Sequence, residues 1–466
     1  MTRKSKHRLE QTLQSFLESR FEKFFTPLEN FIYKQTTAAL FLLVATIVAL
    51  ILANSPWNDL TQAIAHFEAG AVFHHWQFLL PLKEWVSSGL MALFFFLIGL
   101  ELKREILAGQ LRNPQQISLI IMAAIGGMVL PALIYWSFNH GTPGAHGWAI
   151  PMATDTAFAI GVLALLARKV SYGVSIFLTA MAIFDDIGAI AVISVFYAHD
   201  IQTDFLIWSG VTLAILMAVN TAGVRNGWVY AALGIILWAM VCHSGIHATL
   251  AGLLLAIAIP ARTRLGQTRF LEEVRELLSI FEKEQGERHT KGLDSRILSA
   301  ESQHHLTTDI EDTIRDSSTP LQRWETFLIY PIGIIVLPLF ALFNAGVSLS
   351  MTEMATAFHS PVTQGIVAGL VIGKPLGVCL LVYLGLKLKI GTLPEGMAFP
   401  EVAGAGMLAG IGFTMSLFVT ALSFEHAPHL IDDAKIGILV ASFLSAVAAS
   451  IWISAVYLKR SKTAAF

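Results

Sequence analysis

The chain has 466 residues, of which 55% are hydrophobic and only 14% charged, with a mean hydropathy of +0.64. Apolar runs of about 20 residues recur throughout, each long enough to cross a roughly 30 Å hydrocarbon core, so a soluble globular domain is excluded and a polytopic all-α membrane protein is expected. The formal net charge of −2 names no partner and gives no reason to expect nucleic acid, and Cys242 and Cys379 both lie in apolar segments, which argues against a disulfide framework or a cysteine metal site.

Residues 1–35 are charged, yet Leu9, Leu13, Phe16, Leu17, Phe21, Phe24 and Phe25 recur at helical spacing, as in a cytoplasmic amphipathic helix lying on the inner membrane face, with topology anchoring as its plainest role. The first apolar run starts near residue 36 with no A-x-A-like site before it, so no removable signal peptide is expected. Twelve spans follow: 36–55, 87–101, 115–136, 148–167, 172–198, 203–222, 226–242 and 245–260 in the first block (36–260), then 324–347, 361–386, 400–424 and 434–458 in the second (323–458). Between the blocks, residues 261–322 form a cytoplasmic insert of mixed charge, with EEVRELLSIFEKE able to form a helix and the remainder expected to be a flexible, solvated linker. Residues 459–466 form a cytoplasmic tail.

Orientation follows from the basic residues. Arg3, Lys4, Lys6, Arg8, Arg20, Lys23 and Lys34 precede span 1, and the loops after even spans carry Lys103, Arg104 and Arg112, then Arg168 and Lys169, Arg225, the arginine-rich insert, and Lys387 and Lys389. Loops after odd spans show only Lys83 and Lys435. The positive-inside bias therefore puts both termini in the cytoplasm, as an even span count requires.

The stretch LTAMAIFDDIGAIAVIS, residues 178–194, puts Asp185 and Asp186 at the centre of span 5. A central Asp costs about 2.5 to 3.5 kcal/mol on insertion scales, so the dozen large apolar residues of the span, each worth about 0.3 to 0.6 kcal/mol, roughly cancel the pair. The acids must face a wet cavity or a partner, or else be tied up in internal hydrogen bonds. Adjacent helical positions point about 100° apart, so one carboxylate can face an aqueous path while the other turns to a neighbouring helix.

Span 4 reads IPMATDTAFAIGVLALL, with Asp155 flanked by Thr154 and Thr156 and bracketed by Pro151 and Gly161, which favours a helix interrupted at depth. In span 11, Gly404, Gly406, Gly410 and Gly412 precede Thr414 and Ser416, indicating either close small-residue packing or a second interruption. Interrupted segments in matching positions of two halves point to a transport site built from half-helix ends. Lys374, at the middle of span 10 in VIGKPLGV, requires a carboxylate partner. IGGMVLPALIY in span 3 echoes IGKPLGVCLLVY in span 10 at an offset of seven spans, which suggests two inverted-topology units, spans 3–5 and 10–12, crossing near the midplane.

Through ATDTAFAIGVLALL, FDDIGAI, SGIHATLAG, LPLFALFNAGVSL, GKPLG and GIGFTMSLF, the chain resembles the NhaA-type sodium/proton antiporters of bacteria, over about 36–260 and 324–458. That family is itself a type example of inverted repeats with broken helices, so the architecture comes with the resemblance and is not independent of it. The resemblance implies that Asp185 and Asp186 are the ion-binding, proton-carrying pair and the only metal ligands expected, that Thr154 and Asp155 lie where the interrupted helices cross, and that Lys374 pairs with the first aspartate. It also implies pH regulation by Glu101, Arg104 and Glu105 in GLELKREIL, by His247, and by Glu325, which stands one residue further from Pro331 than the family pattern and behind a longer insert. The plainer readings are a basic cytoplasmic cap with helical charge pairs at 101–105 and a core hydrogen bond at His247.

The expected activity is an electrogenic, pH-regulated exchange of internal Na+ or Li+ for external H+ across the bacterial inner membrane, for sodium extrusion and pH homeostasis. Hard cations prefer oxygen ligands, so carboxylates, a threonine hydroxyl, carbonyls and water suffice, without a cofactor. The bilayer is the partner, and the family implies a homodimer. The alternative is a passive cation channel, against which the midplane lysine and the interrupted helices argue. Enzymes are disfavoured: FDDIG lacks the GxGD-type context of an intramembrane aspartyl protease, and DDIGA lacks the third acid of a prenyl-transferring DDxxD motif.

Overall fold

The computed structural model describes residues 35–73, 76–107, 114–166, 169–198, 200–263, 265–290, 301–348 and 350–464. The amphipathic segment expected before residue 35, Arg112, Arg168 and the centre of the insert lie outside the described residues.

Long apolar stretches without a polar face form helices that are buried or lipid-facing all round. The first is α1 (Gln35–Ala53), which bends by 115° into the short α2 (Asn58–Ala65). After the hairpin β1 (Glu68–Phe73) and β2 (Trp76–Pro81) come α3 (Leu82–Leu107) and α4 (Pro114–Asn139). A 3₁₀ helix (Pro143–Met152) then leads at 46° into α5 (Thr156–Leu165), followed by α6 (Tyr172–Phe196), α7 (Thr203–Thr221), α8 (Gly227–His243) and α9 (Leu250–Ala258). The insert supplies α10 (Gln267–Thr290) and α11 (Glu301–Ser317). The second block contains α12 (Pro320–Asn344), α13 (Met351–His359), α14 (Pro361–Lys387), α15 (Phe399–Ala409) meeting α16 (Phe413–Ser423) at 49°, and α17 (His429–Ala464). Among the described residues, seven helices are long and apolar enough to cross a membrane, and up to ten spans result if each bent pair counts as one. The protein is therefore polytopic and almost wholly helical.

Two long helices relax around proline. Pro338 and Pro375 lack an N–H for the carbonyls of Ile334 and Val371, and each of these carbonyls falls in a π-helical turn, Ile332–Val336 in α12 and Gly369–Gly373 in α14. The second turn immediately precedes Lys374 and so sets the direction of that side chain.

Three elements depart from the sequence expectation. The β1–β2 hairpin, antiparallel with Glu68 opposite Pro81, fills the connection between spans 1 and 2, and Trp85 Nε1 pins it to α3 by donating to the Ala69 carbonyl at 2.7 Å. Helix α13 forms between spans 9 and 10. In the insert, residues 301–317 form a second helix where flexible chain was expected, and the Leu321 N–H donates to the Pro260 carbonyl at 3.2 Å, closing the insert at its base. All three pieces are shorter or more polar than a membrane-crossing run, so hydropathy alone does not reveal them.

Lys103 secures the end of the nine-residue α9, whose last carbonyls have no intrahelical donors. Its ammonium donates to Ile257 O at 2.6 Å and Ile259 O at 2.5 Å, complementing the negative end of the helix dipole. Lys103→Met is expected to lower the melting temperature in detergent by a few degrees, the scale of losing about 1 to 3 kcal/mol of charged hydrogen bonding. An unshifted melting curve would mean that water serves these carbonyls equally well.

Candidate functional site

The site is built on two broken helices. Ala153 and Asp155 are extended (φ −78°, ψ 148° and φ −82°, ψ 93°), separating the 3₁₀ helix from α5, and Gly410–Gly412 separates α15 from α16. The breaks lie against each other: the Asp155 N–H donates to Ile411 O at 2.7 Å, Ser416 Oγ donates to Ile150 O at 2.9 Å, and Thr154 Oγ1 stands 3.1 Å from Ala409 O. Glycine is required where the second break passes α14, because a Cβ on Gly410 would stand 2.6 Å from the Leu370 carbonyl oxygen. Asp155 joins the two half-helices. Its Oδ1 accepts from the Phe158 N–H at 2.9 Å as the cap of α5, and its Oδ2 accepts from the Thr414 N–H at 2.9 Å and hydroxyl at 2.6 Å in the first turn of α16. One carboxylate thus meets the positive ends of both dipoles.

Asp185 and Asp186 project from the middle of α6, fully buried. Lys374 Nζ, also fully buried, is 3.1 Å from Asp185 Oδ2 and donates to the Met152 carbonyl freed by the first break. Thr154 Oγ1 donates to the same Asp185 Oδ2 at 2.8 Å, and Thr156 Oγ1 to Asp186 Oδ2 at 3.4 Å. The remaining oxygens, Oδ1 of Asp185 and of Asp186, have no hydrogen-bond partner among the described residues. Lys374 reaches the pair because α14 crosses α4 in backbone contact at Gly377 and Gly126, and Gly127 leaves space beside its chain and Asp185 Oδ1. Two adjacent buried carboxylates, Asp185 and Asp186, therefore share one ammonium, with Asp155 held separately by the half-helix ends. Buried carboxylate oxygens without a donor are costly, and a proton or a hard cation satisfies them.

A second cluster lies at one end of α3. Arg104 contacts Glu325 Oε1 at 2.8 Å through Nη1 and Glu105 Oε1 at 2.9 Å through Nη2, and Glu101 interacts electrostatically with all three. The structure thus brings together Glu101, Arg104, Glu105 and the buried Glu325. His247 is elsewhere, in the turn between α8 and α9, at the opposite end of α9 from the carbonyls held by Lys103. The site also uses groups that the sequence reading did not assign to it: Thr414, Thr156 and the carbonyls of Met152 and Ala409. For the two threonines a signal existed, since each stands in the first turn of a half-helix just after a break.

Crossed, interrupted helices around a buried, net-acidic carboxylate and lysine cluster define a secondary transporter for a small cation. The family is equally clear. A family model described as Na+/H+ antiporter 1 matches residues 29–453. The chain is 42% identical over 433 residues to the Na(+)/H(+) antiporter NhaA of Sulfurimonas denitrificans, covering 93% of this chain and 96% of that protein. It is 41% identical to NhaA 1 of Saccharophagus degradans over 436 residues (94% and 93% covered) and 41% identical to NhaA 2 of Psychromonas ingrahamii over 439 residues (94% and 91%). The chain belongs to the NhaA family of Na+/H+ antiporters, which are transporters and not enzymes, and these relatives give the channel alternative no support.

Proposed function

We propose that this protein exchanges internal Na+ or Li+ for external H+, electrogenically and under pH control, at Asp185 and Asp186. The observation that carries this reading is the pair of buried Oδ1 atoms that have no hydrogen-bond partner among the described residues, beside the Lys374 ammonium. A cation entering the pocket finds these oxygens, the Thr154 hydroxyl and carbonyls freed by the breaks. It can do so only once the protons have left. Protons arriving from the other side displace it, so one pocket opened alternately to each face couples the two flows. If more proton charge than sodium charge moves per cycle, each net charge gains about 2.3 kcal/mol per 100 mV of membrane potential.

Twelve spans result when the short apolar helices α8 and α9 are counted with the seven long helices and three bent pairs. The matched breaks and the α4–α14 crossing support two inverted units. The basic-residue bias supports cytoplasmic termini and a cytoplasmic insert in a bacterial inner membrane, and the family supports a homodimer. Glu101, Arg104, Glu105 and Glu325 form the pH-responsive cluster of this reading, with His247 as a separate regulatory residue.

The deciding test is pH-dye fluorescence in everted vesicles: adding Na+ should dequench the dye, and silence across neutral to alkaline pH would end the antiport reading. Because protons and Na+ claim the same oxygens, the KM for Na+ should rise as pH falls, by up to about tenfold per pH unit for each proton displaced. A KM independent of pH would separate the two ions' sites.

A further inference from the structure

Thr154 and Thr156 flank Asp155 in the first break. The backbone is extended through Asp155, so alternate side chains leave on opposite sides. Asp155 turns to Thr414 on α16, whereas both neighbouring hydroxyls turn to α6: Thr154 Oγ1 to Asp185 Oδ2 at 2.8 Å and Thr156 Oγ1 to Asp186 Oδ2 at 3.4 Å. Each aspartate thereby has one threonine on one oxygen and leaves its Oδ1 without a partner.

Nothing in the local fold requires the second hydroxyl. Thr156 is the first residue of α5, but that helix is capped by Asp155, and the contact with Asp186 is the only hydrogen bond of the Thr156 hydroxyl among the described residues. Thr154, Asp155, Asp185 and Asp186 are buried, while Thr156 is half-buried, the most exposed of the five. A hydroxyl has one hydrogen and two lone pairs, so Thr156 can keep its hydrogen on Asp186 while a lone pair faces an ion held between the carboxylates.

Resting on the antiport reading above, the geometry points to Thr156 as a cation-coordinating residue that sets the preference between Na+ and Li+. Hard cations are sorted by cavity size and ligand number, and the larger ion takes more oxygens. The Thr156 oxygen supplies the additional ligand that Na+ uses and the smaller Li+ does not need.

The test compares the intact protein with Thr156→Val, which keeps the shape and removes the oxygen, and Thr156→Ser, which restores it. KM values for Na+ and Li+ are measured in everted vesicles at one pH, alongside radioactive Na+ binding to the purified protein. In Thr156→Val the KM for Na+ should rise about five- to tenfold and that for Li+ less than about twofold, as expected for loss of one polar ligand. Thr156→Ser should return the parental ratio. Li+ exchange also reports that the variant is folded. If valine abolishes both activities, Thr156→Ala, which removes the same oxygen without crowding, decides by the same ratio. Equal rises for both ions, or an unchanged ratio, would make Thr156 a packing residue and overturn the proposal. A parent that exchanges neither ion would instead sink the antiport reading itself.

Discussion

Asp186→Asn is expected to abolish Na+-induced dequenching in everted vesicles while leaving the protein folded. The amide has nearly the same shape as the carboxylate, but it neither takes up and releases a proton in the physiological range nor supplies negative charge to a cation. Among the described residues Asp186 has no ion pair: Lys374 is placed on Asp185 Oδ2, and the one side-chain hydrogen bond to Asp186 there, from Thr156, is 3.4 Å long. Replacing a buried, unpaired carboxylate by a neutral amide removes desolvation cost, so the melting temperature should hold or rise. Asp185→Asn should behave differently although it is the adjacent residue. It leaves the ammonium of Lys374 buried without its counter-charge, and breaking one side of such a pair costs about 3 to 5 kcal/mol. Loss of exchange accompanied by a lower melting temperature is the expected result there. Vesicle assays and thermal melts on both variants check this contrast, and an undiminished response in Asp186→Asn would remove that residue from the mechanism.

The contrast between the two aspartates was only partly legible beforehand. That a carboxylate and a lysine in the middle of apolar spans need partners follows from insertion energies alone, and the 3.1 Å contact between Lys374 and Asp185 bears this out. Pro151 likewise favoured a break in span 4, and the glycines of span 11 left close packing or a second break open; both helices are interrupted. The particular partners were not readable. Thr414 meets Asp155 across 259 positions of sequence, and no local pattern says which of several hydroxyls near a break will reach which acid. Backbone carbonyls such as Met152 O are invisible in composition, because any residue type supplies one. The family resemblance gave Arg104 and Glu325 a common regulatory role without pairing them, and geometry adds that one guanidinium holds acids from two helices. His247 was grouped with those acids by its expected role alone, and the length of α9 keeps it apart from them. Where the reading failed outright, at the hairpin and at α11, the segments are too short or too polar for hydropathy to register, and contacts with the rest of the chain decide their conformation.

Gly377→Ala is expected to cost the protein both stability and exchange. A Cβ at Gly377 would lie 2.0 Å from the Gly126 carbonyl oxygen, and a Cβ at Gly126 would lie 2.2 Å from the Gly377 carbonyl oxygen. Both obstacles are backbone atoms, so no side chain can rotate away, and one added methyl must push α4 and α14 apart. Overpacking of this kind costs about 1 to 3 kcal/mol or more, and small residues are what let membrane helices approach so closely. The displacement also acts on the chemistry. Lys374 lies one turn before Gly377 on the same helix, so separating the helices lengthens its contact with Asp185 and leaves two buried charges poorly compensated. Gly210→Ala on α7 is the control, because nothing lies within 4 Å of its added Cβ. It should melt at the parental temperature or slightly above, since alanine is favoured over glycine in a helix by about 1 kcal/mol. Detergent melts and vesicle exchange on both variants test the crossing directly: if Gly377→Ala matches Gly210→Ala in both measurements, the two backbones do not touch, and another contact must hold Lys374 against Asp185.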